Sequence, residues 1–162
     1  MKKITLITGA GSGIGEAITE KFANENHFLY LIVKKKEQKI KLTKFLKNKK
    51  VNFHIFIGDL KNKNFIKRLE NKIIKIDNLI NNAAVASTKF FTKVSDNELN
   101  NIIDVNIKAI FQLSQVFAKK MIKHKIKGNI INISSQLGHI GAYNRSAYCM
   151  TKFAIEGLSK SI

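Results

Sequence analysis

The chain has 162 residues, 44% of them hydrophobic, with one cysteine and no proline, which fits one globular domain over residues 1–162 and excludes a disordered chain or a disulfide-stapled one. No apolar run approaches the roughly 18 residues that a membrane span needs, so a cytoplasmic protein without a membrane anchor is expected. The net charge of +18 invites a polyanion-binding reading, but arginine occurs only at Arg68 and Arg145 and the lysines are scattered, so they read as solvated surface and no specific nucleic-acid partner is expected.

Strand and helix signals alternate along the chain. Ile4–Thr8 is a first strand and runs into a glycine-rich turn. Helical spacing of Ile14, Ala17, Ile18 and Phe22 predicts a helix over 14–26. Phe28–Val33 is a near-continuous apolar run, the pattern of a strand buried on both faces. A lysine-rich amphipathic helix over 37–48 and a strand over 51–57 follow, then a helix over 65–76 and a strand over 77–81. Ser95 with Glu98 forms a capping box and predicts a long helix to about His124. A fifth strand over 129–134 precedes a helix from Tyr148 onward. Right-handed crossovers make this order a doubly wound, three-layer parallel α/β sheet of Rossmann type, with strand order 3-2-1-4-5. A ligand then belongs at the carboxyl ends of the strands, near the switch point.

The turn Thr8-Gly9-Ala10-Gly11-Ser12-Gly13-Ile14-Gly15 sits between the first strand and the first helix. That context turns a common glycine cluster into a pyrophosphate cradle: backbone can approach closely, and the helix behind it aims its N–H groups at the anion. At the end of the second strand an acid would bind a ribose 2′-hydroxyl and a cation a 2′-phosphate. This chain has Lys34-Lys35-Lys36 there, which favours NADP(H) over NAD(H). Asp59-Leu60 follows the third strand, a carboxylate on the ligand edge. Asn81-Asn82-Ala83-Ala84 ends the fourth.

Tyr148 and Lys152 are four residues apart and share a helix face, so a phenol stands beside an ammonium. A cation in that position favours the phenolate. Ser134 and Ser135 lie at the carboxyl end of the fifth strand, Ser135 thirteen residues before Tyr148. A hydroxyl there can hydrogen-bond a substrate carbonyl, or simply close a turn. Asn106 lies inside the long helix, a poor interior residue unless something holds it. Cys149 reads as a small, partly buried apolar residue. His27, His54, His124 and His139 lack ligand spacing, so no metal is expected.

With these residues the chain resembles the short-chain dehydrogenase/reductase family along its whole length. Thr8-Gly9 with Gly13-Ile14-Gly15 has that family's wide glycine spacing, and Tyr148-x-x-x-Lys152 its catalytic pair. The resemblance implies hydride transfer between a nicotinamide dinucleotide and a carbonyl or alcohol of a small molecule, either a 3-oxoacyl group or a sugar or polyol. It implies that Tyr148 is the general acid/base, that Ser135 orients the carbonyl, and that Lys152 favours the phenolate and holds the nicotinamide ribose. Asn106 would support a proton relay through its main-chain carbonyl. Gly9, Ser12, Gly13, Ile14, Gly15, Lys34, Asp59, Leu60, Asn82 and Ala83 would hold the dinucleotide, with Tyr148 and Lys152; Asp59 and Leu60 would face the adenine and Asn82 its ribose. Ala84 departs from the glycine usual there. Relatives run to roughly 250 residues, so the chain is expected to end early in the Tyr-Lys helix. That leaves two readings, a reductase needing more chain or a non-catalytic remnant that binds a dinucleotide or a partner. Homo-oligomers are the family's habit.

Overall fold

A computed structural model of the protein describes residues 2–162. Five parallel strands form one sheet: β1 (Ile4–Thr8), β2 (Phe28–Val33), β3 (Phe53–Ile57), β4 (Asn78–Asn81) and β5 (Asn129–Asn132). Their spatial order is β3-β2-β1-β4-β5, the doubly wound order expected from the sequence. Thr8 pairs with Ile32, and Ile7 with Ile80. The first crossover therefore leads to one side of β1 and a later one returns to the other. The two strand ends diverge there and leave a crevice.

Alternation along the strands supplies two cores. Leu6, Ile32, Phe56 and Leu79 face α3 (Lys63–Lys72) and α5 (Ile110–Lys123), meeting Phe65, Leu69, Leu113 and Phe117. Ile7, Leu29, Leu31, Val33 and Ile80 face the other way, toward α1 (Gly13–Asn24) and α2 (Lys36–Asn48), meeting Ala23, Leu42 and Leu46. A fully buried leucine or isoleucine contributes about 1.5–3 kcal/mol, so both faces of β1 are anchored. β4 and β5 differ: Asn81 donates to Asn132 at 2.8 Å and Asn129 to Asn78 at 3.0 Å, a polar ladder inside the sheet.

Several boundaries differ from expectation by a few residues, and three of the differences bear on the core and the site. α3 ends at Lys72, because Ile73 and Ile76, which continue a helical spacing, are buried on an extended link into β4. The long helix is three pieces in line: α4 (Asp96–Ile103), a π-helical stretch over Asp104–Ala109, and α5. The last helix, α6, runs from Ser146 to Ser161, so Tyr148 and Lys152 stand near its start and more than two turns follow Lys152. No helix among the described residues is long and apolar enough to cross a membrane.

Candidate functional site

The turn after β1 is held closed from behind. Thr8 Oγ1 accepts the N–H groups of both Asn82 and Ala83 at 3.0 Å. The Asn82 amide donates to the Thr8 and Gly9 carbonyls at 3.0 and 3.2 Å. The ends of β1 and β4 are thereby tied together beneath the cleft. Glycine is required at two points. A Cβ on Gly15 would overlap the Gly9 carbonyl oxygen, and Gly9 has φ +63° with the Ala83 backbone 2.9 Å from where its own Cβ would stand. Ser12 is the N-cap of α1, yet its hydroxyl makes no capping bond. The first N–H groups of α1 and that hydroxyl are free for an anion, which is how a helix start binds phosphate.

In front of this turn lies a cleft of about 340 Å³ lined by Gly9, Ser12, Ile14 and Gly15 from the first crossover. Lys34 and Gln38 come from the second, Asp59 and Leu60 from the third, and Asn82 and Ala83 from the fourth. A slot made of strand ends, with a glycine turn that admits no side chain at its floor, fits the pyrophosphate and adenosine half of a dinucleotide. Asn82 lines the cleft, but its amide is spent on bracing the turn. Ala84 also lines it and is exposed, and its φ is not among the positive values of the chain, so its methyl group strains nothing.

Lys34 and Asp59 form an ion pair, Nζ to Oδ2 at 3.0 Å. The other carboxylate oxygen accepts the Lys61 N–H at 3.0 Å. Partial burial pushes the Asp59 carboxyl up, while the Lys61 N–H and the Lys34 ammonium push it down and prevail, leaving it below the usual carboxylate range.

The second half of the site surrounds α6. Tyr148 and Lys152 lie side by side, the ammonium 5.6 Å from the centre of the phenol ring. Lys152 is 2% exposed and donates to the Ile133 carbonyl at 2.7 Å. Burial pushes its pKa below the usual lysine value. Ser135 Oγ accepts the Leu137 N–H at 3.2 Å. Ser134 turns the other way: its Oγ is buried, 2.9 Å from where a Cβ on Gly138 would stand. Both serines are half-buried; the Ser134 hydroxyl has no hydrogen-bond partner among the described residues, whereas the Ser135 hydroxyl caps the turn that follows β5.

Asn106 is fully buried in the π-helical stretch, not solvent-facing. Its amide exchanges two hydrogen bonds of 2.9 Å with Val85, Nδ2 to the carbonyl and Oδ1 from the N–H. It also donates to Thr151 Oγ1 at 3.1 Å. Thr151 in turn donates to the Tyr148 carbonyl at 2.8 Å. One amide thus joins the loop after β4, the widened helix and the helix of Tyr148 and Lys152. Gln38, Val85 and Thr151 carry no motif of their own, and Thr8 stands in the glycine motif with no role assigned to its side chain. Only the neighbourhood of Thr8 to Gly9 and of Thr151 to Lys152 hinted at them. Cys149 is buried, and no cluster of three metal-ligating side chains occurs among the described residues.

With this geometry in hand, comparison with known proteins is specific. The family described as short chain dehydrogenase matches residues 3–162. A 3-oxoacyl-[acyl-carrier-protein] reductase of Rickettsia typhi is 37% identical over 161 residues, which are 99% of this chain and 65% of that protein. The chain therefore spans just under two thirds of that curated relative. Among solved structures, a metagenomic short-chain oxidoreductase in complex with NADP superposes with a TM-score of 0.93 at 28% identity, covering 98% of this chain and 74% of the other. A short chain dehydrogenase/reductase of Burkholderia phymatum in complex with NAD gives 0.95 at 26% identity, covering 99% and 58%.

Proposed function

Because the chain belongs to the short chain dehydrogenase family, we propose that it serves an oxidoreductase interconverting a carbonyl and an alcohol of a small molecule, with a nicotinamide dinucleotide in the cleft. The observation that carries this reading is the meeting of two constructions on one sheet edge. A phosphate-ready turn follows β1, and a phenol–ammonium pair stands at the start of α6 beside the end of β5.

When bound, the dinucleotide supplies or accepts the hydride. The chain's own groups handle the oxygen and its proton. The Tyr148 hydroxyl gives a proton to the substrate oxygen in reduction and takes it back in oxidation. The Lys152 ammonium, fixed on the Ile133 carbonyl, favours the phenolate by its charge, and it holds the nicotinamide ribose. The Ser135 hydroxyl donates to the carbonyl oxygen and orients it. Asn106 locks the loop after β4 against α6, and its main-chain carbonyl carries the relay that returns protons to Lys152. Gly9, Ser12, Gly13, Ile14 and Gly15 cradle the pyrophosphate. Asp59, Leu60, Asn82 and Ala83 border the adenosine. Lys34 favours NADP(H) over NAD(H).

The Rickettsia relative makes a 3-oxoacyl thioester the first substrate class to try, with a sugar or polyol second. A cytoplasmic setting completes the reading, with homo-oligomers expected of full-length family members. The test is a titration of the purified protein with NADPH and NADH by ligand fluorescence, followed by carbonyl-dependent loss of reduced nicotinamide absorbance. Micromolar dinucleotide binding is the expected result, with whatever turnover the chain supports lost in Tyr148→Phe. Binding without turnover would leave a dinucleotide-binding module, and no binding would end the proposal.

A further inference from the structure

In sequence, the lysines at the end of β2 favour NADP(H). The structure supplies an acid from the next strand. Val33 pairs with Ile57 in the β2–β3 ladder, so the chain leaves the two strands at neighbouring points and brings Lys34 beside Asp59. Among the described residues that line the cleft, they are the only charged side chains.

We propose that the Lys34–Asp59 ion pair, with Asp59 as the restraining member, sets how strongly this chain distinguishes a dinucleotide bearing a 2′-phosphate from one bearing a 2′-hydroxyl. The inference rests on the dinucleotide reading above and deepens it. Asp59 is the fixed partner, because its second oxygen is held by the Lys61 backbone and its side chain is 34% exposed. Lys34 is the movable one, 65% exposed on a flexible stem. A 2′-phosphate must share that ammonium with a carboxylate already on it, and must approach the carboxylate's charge. A 2′-hydroxyl meets neither cost. The pair therefore leaves the chain with a modest preference for NADP(H), within about tenfold, where an unopposed lysine would give a strong one. Because adenosine is common to both dinucleotides, any loss of adenine contacts in an Asp59 variant cancels in the ratio of their affinities.

The experiment is a set of NADPH and NADH dissociation constants, at one fixed ionic strength, for the whole chain and for Asp59→Asn, Lys34→Met and the double variant. Asp59→Asn is expected to raise the NADPH:NADH affinity ratio by about tenfold, equivalent to ~1.4 kcal/mol. Lys34→Met is expected to abolish the preference, and adding Asp59→Asn to it to change the ratio by less than about threefold. An unchanged or reduced ratio in Asp59→Asn overturns the inference. So does an equal shift in the Lys34→Met background, which would put the effect on Asp59 alone. Either result, with both dinucleotides still binding, leaves the proposed function standing. A wild-type chain that binds neither overturns both.

Discussion

The two ends of the site are built by opposite means. The phosphate end is a short stretch of backbone, Gly9 to Gly15, whose shape is dictated by missing side chains and by a helix start. The proposed catalytic end is assembled from four distant places: Val85, Asn106, Ile133 and the 148–152 turn of α6, joined by buried hydrogen bonds. The first end fails when something is added. The second fails when a partner is taken away. A backbone cradle tolerates almost any sequence beyond its glycines, whereas a hydrogen-bonded side-chain cluster depends on every member being satisfied.

The largest expected effect is at the catalytic end and on rate alone. Tyr148→Phe removes the proton carrier but no packing volume. Turnover should fall by about 10³-fold, with the NADPH dissociation constant within about threefold of wild type in fluorescence titration. At the phosphate end, Gly15→Val forces a side chain into the Gly9 carbonyl and the Asn82 amide. Urea unfolding should register a loss of about 3 kcal/mol, and dinucleotide binding should go with it. A variant there that binds NADPH normally would refute the account of the turn.

Asn106→Ala probes the side-chain cluster. It strips Val85 and Thr151 of their partner, and its expected cost is about 2 kcal/mol in the same urea assay. Turnover should drop while the phosphate end, probed with ADP, binds as before. The smallest effect has the opposite sign. Lys152 is a buried cation that takes part in none of the ion pairs found among the described residues. Its folded pKa lies below the usual lysine value, so the unfolded chain binds its proton more tightly. Stability conferred by this residue therefore rises with pH up to the unfolded lysine range near 10.5. Lys152→Met should be about 1 kcal/mol more stable than wild type at pH 7, and thermal melts should show that advantage shrinking as the pH is raised toward 10.

Much of the molecule was legible in order along the chain. The apolar runs Ile4–Thr8 and Phe28–Val33, the glycine turn between strand and helix, and the four-residue spacing of Tyr148 and Lys152 are local patterns. Backbone sterics and helical period fix their meaning within a few residues. These patterns carried the sheet order and the candidate residues at both ends of the proposed site. What local periodicity could not carry was which side chains meet from far apart. Ile73 and Ile76 repeat at helical spacing but sit on an extended link, because burial between α3 and β4 outweighs propensity. Asn82 reads as a cleft residue in sequence, and in space its amide also braces the turn. Asn106, an awkward residue in a helix, becomes buried and satisfied where the helix widens. Lys34, read as a cation for a 2′-phosphate, is paired with Asp59, 25 positions away in number and 3.0 Å away in space. The sequence alone determined the elements and the chemistry they carry. The tertiary structure decided which charges and amides are already engaged, because pairing across strands depends on register and crossover, which no short window of sequence contains.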